Sequence, residues 1–146
     1  MTADVFLDAN ILLYASSKAP ADAEKSQQAR QLMLAAPFAL SSQVLQEYIA
    51  NALRKKALGI SEANIDATLE LAAHVPVLPV SLELVIMAVS LRRRFQISHG
   101  DATILAAARE LGCKTLYSED LTHGQTYDGV KVINPFSDIH ARHRPP

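Results

Sequence analysis

Near its start the chain reads Val5-Phe6-Leu7-Asp8-Ala9-Asn10-Ile11-Leu12-Leu13-Tyr14: an apolar run, a polar interruption and a second apolar run. This pattern predicts a short buried strand that changes into a helix at Asp8-Ala9-Asn10. Further strand-like runs lie at residues 38–40, 77–80, 115–117 and 130–133. Segments of helical period separate these runs, which is the order expected of a parallel sheet with crossover helices. The sequence therefore predicts the α/β class, with a central, mostly parallel sheet of about five strands flanked by helices.

Further helices are predicted between these strands. They cover residues 22–36, 42–56, 61–74, 81–95 and 101–111. Pro37, Gly59 and Gly112 follow three of them and supply the usual helix stops. The helix at 42–56 has one apolar face, whereas the helix at 101–111 is apolar nearly all round. We therefore expect the last of these helices to be covered on several sides.

The composition fits one globular domain. Of the 146 residues, 49% are hydrophobic, which is enough for an ordinary core without disulfides. We place the domain at residues 1–136 and expect the polar segment 137–146, which contains His140 and His143, to be a frayed and solvated tail. Cys113 is the single cysteine and has no partner for a disulfide or a zinc site. No apolar run is long enough to span a bilayer, so a cytoplasmic location and no membrane partner are the expectation.

Two basic triplets stand out against a formal net charge of -1. They are Arg54-Lys55-Lys56 and Arg92-Arg93-Arg94, and each closes a predicted helix. Cations near a helix C-terminus complement the helix dipole, so capping explains part of the pattern. A triplet exceeds what capping needs. Both clusters are therefore candidates for a phosphate-binding rim, with capping as the alternative.

Asp8, Asp101 and Asp120 each stand where an α/β fold gathers residues at one edge of its sheet. Asp8 ends the first strand, Asp101 opens an apolar helix, and Asp120 follows a later strand. In open α/β sheets the ligand crevice lies beyond the carboxyl ends of the strands. Glu47, on a predicted helix, brings the set to four acids. Several carboxylates in one crevice repel each other, so the sequence predicts a hard, oxygen-seeking ion such as Mg²⁺ or Mn²⁺ there.

Three of the acids also have a plainer interpretation. Asp8 and Asn10 stand at a helix start, where Asp and Asn are common caps, and we expect Asn10 to do part of that capping. Glu47 falls beside the apolar stripe of its helix, where a solvated glutamate would also lie. The segment Ser98-His99-Gly100-Asp101 fits a capping box, which alone would explain Asp101.

The identity of the last acid is left open by the pattern. Glu119 and Asp120 are neighbours in a turn-rich segment, and either side chain could point into the crevice. His99 and His123 are candidate bases by residue type, but a lone histidine near a turn is a weak signal. We expect both histidines to have solvated or structural roles.

Four segments together resemble the PIN-domain ribonucleases, and in particular the VapC-like toxins of bacterial toxin-antitoxin pairs. They are Val5-Phe6-Leu7-Asp8-Ala9-Asn10, Ser41-Ser42-Gln43-Val44-Leu45-Gln46-Glu47, Asp101-Ala102-Thr103-Ile104-Leu105-Ala106-Ala107-Ala108 and Leu116-Tyr117-Ser118-Glu119-Asp120-Leu121. No one segment is specific, but their order and separation together are, and they extend over nearly the whole chain. The resemblance implies a PIN-like three-layer sandwich.

The resemblance also implies roles for individual residues. It assigns Asp8, Glu47, Asp101 and Asp120 to an acidic pocket that is catalytic and binds metal, with Asn10 and Ser118 as supporting polar groups. It favours Asp120 over Glu119 as the last acid. It also favours a role in the pocket for Glu47 over that of a solvated surface glutamate. Gly100 departs from the family pattern, in which an aromatic residue often precedes the acid.

A protein of this kind would be a metal-dependent ribonuclease that hydrolyses single-stranded or looped RNA, leaving a 5′-phosphate and a 3′-hydroxyl. The acids would be ligands of Mg²⁺ or Mn²⁺ and not nucleophiles, and the basic triplets would contact RNA. The resemblance further implies a homodimer that is silenced by a cognate antitoxin protein. Exposed apolar residues of the helices at 22–36 and 61–74 are the candidate antitoxin contacts.

Two other functions compete on the residues alone. A Mg²⁺-dependent phosphoryl-transfer enzyme with an Asp nucleophile also needs clustered acids on an α/β sheet. Against it, phosphatases of the haloacid-dehalogenase type carry a second Asp two positions after the nucleophile, where this chain has Asn10. The third interpretation is a catalytically silent RNA- or protein-binding module, for which clustered carboxylates are costly to keep without a cation.

Overall fold

One mixed sheet organises the molecule. The structure is a computed structural model that describes residues 2–142. Within this range the sheet has six strands: β1 (Val5–Leu7), β2 (Phe38–Ser41), β3 (Val77–Leu78), β4 (Thr115–Tyr117), β5 (Thr126–Tyr127) and β6 (Val130–Ile133). Their spatial order is β3-β2-β1-β4-β6-β5, and all neighbouring pairs are parallel except β5 and β6. The predicted α/β class with a mostly parallel sheet is confirmed.

Seven α-helices accompany the sheet within the described residues. They are α1 (Ala9–Ser16), α2 (Ala23–Ala35), α3 (Ser42–Arg54), α4 (Glu62–Ala72), α5 (Leu82–Phe95), α6 (His99–Glu110) and α7 (Ser137–Arg142). α3 ends before the predicted residue 56 because Lys55 leaves the helical conformation, and Gly59 closes the following turn with a φ of 66°. α6 begins at His99, earlier than predicted, since Ser98 caps it. None of the helices in residues 2–142 is long and apolar enough to cross a bilayer.

β5 is the strand that the sequence analysis missed. It pairs antiparallel with β6 across the turn Asp128-Gly129, whose residues have φ values of 51° and 89°. A two-residue hairpin turn needs positive φ at both positions, which makes an Asp-Gly pair between strand-like residues a strong signal. Six strands therefore replace the predicted five. β3 is shorter than predicted and stops at Leu78, because Pro79 has no amide hydrogen to donate to the ladder.

The strand order reverses between β1 and β4. From β1 the chain moves outward to β2 and β3, whereas from β4 it moves the other way, to β6 and β5. In open α/β sheets such a switch point leaves a crevice at the carboxyl ends of the two strands. The amide of Asp8, just after β1, donates to the carbonyl of Tyr117 at the end of β4 at 3.0 Å. The residues that follow β1 and β4 therefore frame one crevice.

Helices cover both faces of the sheet. The connections from β1 to β3 run through α1 to α4, and the return to β4 runs through α5 and α6. Right-handed crossovers place these two groups on opposite faces, which gives three layers. Phe6, Leu116 and Val132, from three adjacent strands, are fully buried. α6 is buried at every position from residue 102 to residue 108, which confirms that this helix is covered on several sides.

The C-terminal segment differs from the frayed tail that we expected. Residues 137–142 form α7, because Phe136 and Ile139 are apolar and bury themselves against the domain. His140 is exposed, but its Nε2 lies 3.1 Å from a carboxylate oxygen of Glu119. His143 and the rest of the expected tail lie outside the described residues. The domain boundary at residue 136 stays a prediction.

Candidate metal site at the switch point

Three aspartates converge in the crevice between β1 and β4. Asp8 follows β1, Asp120 follows β4, and Asp101 lies in the first turn of α6. One carboxylate oxygen from each lies within 4.8 Å of the other two. None of these acids forms an ion pair with a residue in the range 2–142. We call these residues the acid cluster.

Asp8 is the most deeply buried member, with 2% of its surface exposed. It caps α1, since its Oδ1 accepts from the amide of Ala9 at 2.7 Å, and its Oδ2 accepts from the hydroxyl of Ser118 at 2.7 Å. Burial raises the pKa of Asp8 to about 7 despite these two hydrogen bonds, and the charges of Asp120 and Glu47 add to the rise. The expectation that the neighbouring Asn10 shares the capping was wrong, because Asp8 supplies the accepting oxygen.

Ser118 and Asn10 hold Asp120 in place. The fully buried Ser118 hydroxyl accepts from the amide of Asp120 at 3.1 Å while it donates to Asp8. The side-chain amide of Asn10 donates to Oδ2 of Asp120 at 3.2 Å. Desolvation of the carboxylate and the nearby charge of Asp101 raise the pKa of Asp120, and the hydrogen bond from Asn10 opposes the rise. The other amide atom of Asn10, Oδ1, is buried and has no hydrogen-bond partner within the described chain.

Asp101 combines a position at a helix start with an unbonded carboxylate. Its amide donates to the hydroxyl of Ser98 at 3.1 Å, so Ser98 is the N-cap of α6. No residue that the structure describes donates a hydrogen bond to the Asp101 carboxylate. The predicted capping box is therefore half formed. The serine caps the helix, and the acid remains available to the cluster.

Glu47 lies on α3 at the wall of the same crevice. Burial raises its pKa, a hydrogen bond from Gln43 opposes the rise, and the charges of Asp101 and Asp120 add to it. Gln43, one turn earlier on α3, donates from Nε2 to Oε1 of Glu47 at 3.0 Å and to the carbonyl of Gly100 at 3.1 Å. This amide therefore links α3 to the first turn of α6. The sequence analysis missed Gln43, although its i, i+4 spacing from Glu47 was a usable signal.

A cavity of about 380 Å³ opens onto Asp8, Glu47 and Asp120. Its lining includes Asp8, Asn10, Tyr14, Glu47, Asn51, Lys55, Leu58, Glu119 and Asp120. Lys55 brings a positive charge to the wall and opposes the rise in the pKa of Asp120. Arg54, in contrast, donates to Oδ1 of Asn51 at 2.5 Å. Of the basic triplet at residues 54–56, Lys55 therefore lies on the wall of the acid cavity.

The second basic triplet lies elsewhere. Arg94 forms an ion pair with Asp128 at 2.7 Å, and Arg109 reaches the same carboxylate at 2.5 Å. Asp128 precedes β6, so this group lies at the amino ends of the strands, opposite the acid cluster. Arg93 and Arg94 line a separate hollow on α5. The structure thus does not bring residues 92–94 to the acid cavity.

Glu119 belongs to a different network from its neighbour Asp120. Its carboxylate accepts from the hydroxyl of Tyr14 at 2.7 Å and pairs with Lys25 at 2.7 Å, and His140 lies 3.1 Å away. Burial alone would raise the pKa of Glu119, but the hydrogen bonds from Lys25, Tyr14 and His140 outweigh it and hold this pKa below its usual range. The residue pattern left undecided which of these two acids faces the crevice. In the structure Asp120 lies in the acid cluster and Glu119 lies in an ion pair.

Neither candidate histidine lines the acid cavity. Nδ1 of His123 accepts from the amide of Asn134 at 2.9 Å, which is a structural contact between two loops. The carbonyl of His99 accepts from the hydroxyl of Thr103 within α6. Both histidines are exposed, as expected for solvated or structural roles.

A second, more apolar groove lies between α2 and α4, beside the end of α1. Its volume is about 430 Å³, and its walls include Met33, Leu34 and Leu71. Leu34 is 88% exposed. Lys18 and Arg30 add positive charge to the groove. These two helices are the ones for which antitoxin contacts were predicted.

The fold is similar to those of several solved proteins. A toxin-antitoxin complex from Klebsiella pneumoniae aligns with a TM-score of 0.65 at 20% identity, over 90% of this chain and 97% of that chain. The sarcin-ricin loop cleaving toxin VapC20 of Mycobacterium tuberculosis aligns with a TM-score of 0.65 at 24% identity, over 80% and 89%. A DNA-bound VapBC from Salmonella typhimurium gives 0.65 at 18% identity, over 90% and 97%. At such identities the likeness establishes the fold alone.

The family assignment comes from the sequence match. No curated protein matches this chain significantly. The model of the PIN domain family matches residues 5–128, a span that contains all three members of the acid cluster, Glu47 and the basic triplets. Because the match covers most of the chain, the protein belongs to the PIN domain family.

Proposed function

We propose that this protein is a Mg²⁺- or Mn²⁺-dependent ribonuclease, and that it is the toxin of a toxin-antitoxin pair. One observation carries the nuclease proposal. Asp8, Asp101 and Asp120 offer three oxygen ligands within 4.8 Å of one another, at the switch point of the sheet. Membership of the PIN family supports the rest, as does the similarity of the fold to those of toxins and toxin-antitoxin complexes.

The donor set fits a hard divalent cation. All three side chains supply carboxylate oxygens, which Mg²⁺ and Mn²⁺ prefer over nitrogen or sulfur. Asp8 is 2% exposed, and a buried carboxylate beside two others is unfavourable when nothing neutralises it. The acid cluster is therefore better explained as a cation site than as a structural feature.

The acids have distinct parts in this proposal. Asp8, Asp101 and Asp120 would hold the metal, with Glu47 as the fourth acid at the cavity wall. A bound Mg²⁺ or Mn²⁺ would supply Lewis-acid activation of water and neutralise charge on the phosphodiester. Ser118 fixes both Asp8 and the amide of Asp120 through one hydroxyl, so the two ligands move as a unit.

Other residues of the cavity orient the acids and bind the substrate. Gln43 holds Glu47 against the first turn of α6, and Asn10 restrains Asp120. Lys55 lies on the cavity wall, where its ammonium group is placed to bind an RNA phosphate. RNA contacts by Arg54 and Lys56 stay a prediction. RNA contacts by Arg92, Arg93 and Arg94 stay a prediction that this geometry does not favour.

The geometry of Asp8 argues against an aspartyl nucleophile. Both of its carboxylate oxygens already accept hydrogen bonds, from Ala9 and from Ser118. Each oxygen keeps a further lone pair that a small cation can reach, whereas a phosphoryl group, with its other oxygens, needs an open approach that a side chain only 2% exposed does not offer. A catalytically silent binding module is also less favoured, because it gives no reason to gather three uncompensated aspartates.

We propose two protein partners. The groove between α2 and α4 exposes Leu34 and Leu71, so an amphipathic segment of an antitoxin protein would bury them there. The exposed apolar side chains of Leu82 and Ile86 on α5 offer a surface for a homodimer. The toxin and its antitoxin would act in the cytoplasm. A neighbouring gene for a small DNA-binding protein would support the antitoxin partner.

The experiment that tests the nuclease proposal is cleavage of a single-stranded RNA by purified protein. EDTA should abolish cleavage, and Mn²⁺ or Mg²⁺ added in excess should restore it. Cleavage that persists in chelator, by protein shown to be metal-free by elemental analysis, would rule out the metal-dependent mechanism. Absence of cleavage on RNA but cleavage of a phosphomonoester would favour the phosphoryl-transfer alternative.

A further inference from the structure

The Glu119 network is built more tightly than a surface ion pair. Lys25 pairs with Glu119 at 2.7 Å, and only 17% and 22% of the two side chains are exposed. Nζ of Lys25 also donates to the Tyr14 hydroxyl at 3.2 Å and lies 4.7 Å from the centre of the Tyr14 ring. The Tyr14 ring packs edge-on against Phe136 at 4.9 Å. With His140, these residues form what we call the Glu119 clamp.

The clamp connects three helices, none of which contains a member of the acid cluster, to the loop that contains Asp120. Tyr14 comes from α1, Lys25 from α2, and His140 from α7. All three contact Glu119, whose backbone is bonded directly to that of Asp120. α7 lies beyond the part of the chain that matches the PIN family model, which ends at residue 128.

Asp120 has little side-chain support of its own. It is the exposed member of the acid cluster, and its carboxylate has one hydrogen bond, from Asn10 at 3.2 Å. Its direction therefore depends on the backbone of the loop. Ser118 fixes that loop on one side through the amide of Asp120, and the Glu119 clamp fixes it on the other.

We infer that Glu119 is a positioning residue, whose clamp to Lys25, Tyr14 and His140 aims Asp120 at the metal. This inference rests on the metal site proposed above. A ligand on a loop holds an ion well only when neighbouring contacts restrain the loop, and the loss of such outer contacts typically weakens metal affinity by about 10- to 100-fold. The clamp supplies this restraint from outside the acid cluster.

Two substitutions separate positioning from a simple charge effect. Mn²⁺ affinity is measured without RNA, by calorimetry or by the electron paramagnetic resonance of free Mn²⁺. Glu119→Gln removes a negative charge near the site, whereas Lys25→Met removes a positive one. If the clamp positions Asp120, both variants should bind Mn²⁺ about tenfold more weakly. A pure charge effect would weaken binding in Glu119→Gln and strengthen it in Lys25→Met, and that result would overturn the inference.

A double-mutant cycle tests whether the effect passes through Asp120. In an Asp120→Asn background the ligand is already impaired, so Glu119→Gln should cause little further loss of Mn²⁺ affinity. An equal, additive loss in both backgrounds would contradict a positioning role. Arg142→Gln is the matched control, since it removes another ion pair between α7 and α2, with Glu24, that does not reach Glu119. It should leave Mn²⁺ affinity unchanged.

Failure of the inference can be told apart from failure of the metal site. If Asp101→Asn and Asp120→Asn bind Mn²⁺ like the unmodified protein, the proposed metal site is wrong. If both lose affinity but Lys25→Met and Glu119→Gln do not, only the positioning role is wrong. Should Glu119→Gln not fold, Tyr14→Phe removes one hydroxyl from the clamp and keeps the ring against Phe136. Unchanged Mn²⁺ affinity in folded Tyr14→Phe and Lys25→Met would also overturn the inference.

Discussion

Glu119 and Asp120 are consecutive acids with opposite surroundings. Glu119 has Lys25 at 2.7 Å and a pKa held below its usual range, whereas Asp120 faces Asp8 and Asp101 and has a raised pKa. An acid that stabilises a fold is generally paired, while acids gathered without a cation carry a cost that function has to explain. Pairing, and not residue type or exposure, separates Glu119 from the acids of the proposed metal site.

The two groups should respond differently to loss of charge. Removing charge from the Glu119 clamp takes away an attraction, and removing charge from the acid cluster takes away a repulsion.

Asp101→Asn should have the largest effect, a loss of RNA cleavage of more than about a hundredfold, because loss of a direct ligand exceeds the loss typical of an outer contact. Its stability cost should be at most about 1 kcal/mol, since Ser98 is the cap of α6. Cleavage rates at saturating Mn²⁺ and thermal unfolding measure the two quantities. Asp128→Asn is the matched control: it pairs with Arg94 and Arg109 at the opposite end of the strands and should keep full cleavage. If Asp101→Asn cleaves RNA as fast as the wild type, Asp101 has only a structural role at the start of α6.

The pH dependence of stability should show the uncompensated charge directly. The pKa of Asp8 is about 7 in the folded protein, against an ordinary value of 3.8. The folded chain therefore keeps a proton that the unfolded chain has lost, so this stabilisation is complete below about pH 4 and is lost as the pH rises through 7. In EDTA, the free energy of unfolding should fall by on the order of 2 to 3 kcal/mol between about pH 5 and pH 8.

Two controls sharpen that measurement. Asp8→Asn should flatten the dependence, because the titrating group is gone. Glu119 has a lowered pKa, so its stabilisation is present above its ordinary pKa and is lost only at lower, more acidic pH. A stability that rises from about pH 5 to pH 8 in chelator would contradict the assignment of Asp8 as an uncompensated buried acid.

The same acids show how much of the site could be predicted from the sequence. Asp8, Asp101 and Asp120 were predicted together because each adjoins a strand end or a helix start, and a parallel sheet brings such positions to one edge. The residues alone left the choice between Glu119 and Asp120 open, the family resemblance favoured Asp120, and the structure supplies the physical reason for the difference. It depends on Lys25, which lies 94 residues from Glu119 in sequence, and on His140, which lies 21 residues away.

The errors have equally local causes. β5 was missed although Asp128-Gly129 carried a hairpin signal. α7 has six residues, too few for a helical period to be recognised. RNA contacts by residues 92–94, predicted from charge with helix capping as the alternative, stay a prediction, and local composition gives no means of finding the partner of Arg94, Asp128.

Lys25→Met and Asp120→Asn should move stability in opposite directions when metal is absent. Lys25→Met leaves the Glu119 carboxylate unpaired and should cost about 1 to 2 kcal/mol, less than for a fully buried pair because both side chains are partly exposed. Asp120→Asn should leave stability unchanged or raise it. Chemical denaturation in EDTA measures both. Equal destabilisation by the two variants would contradict the claim that the Glu119 clamp stabilises the fold and the acid cluster does not.

The smallest expected effect concerns RNA binding by the two basic triplets. Lys55→Gln should lower the slope of log affinity against log salt by about 0.7, the value for one lost phosphate contact on single strands. Arg94→Gln should leave the slope unchanged, since Arg94 pairs with Asp128 away from the cavity. Binding is measured by fluorescence anisotropy with Asp101→Asn protein, so that the RNA stays intact. If only Arg94→Gln changes the slope, RNA binds at the other end of the sheet, near Arg94.

The most direct test of the central claim is a Mn²⁺ titration of metal-free protein, in which the free-ion resonance signal and RNA cleavage are followed in the same samples. If Asp8, Asp101 and Asp120 hold the catalytic metal, the free-ion signal should be suppressed over the same concentration range in which cleavage appears. Asp101→Asn should shift that range to concentrations more than about a hundredfold higher. Cleavage before any Mn²⁺ is added, or an unshifted titration in Asp101→Asn, would contradict the claim.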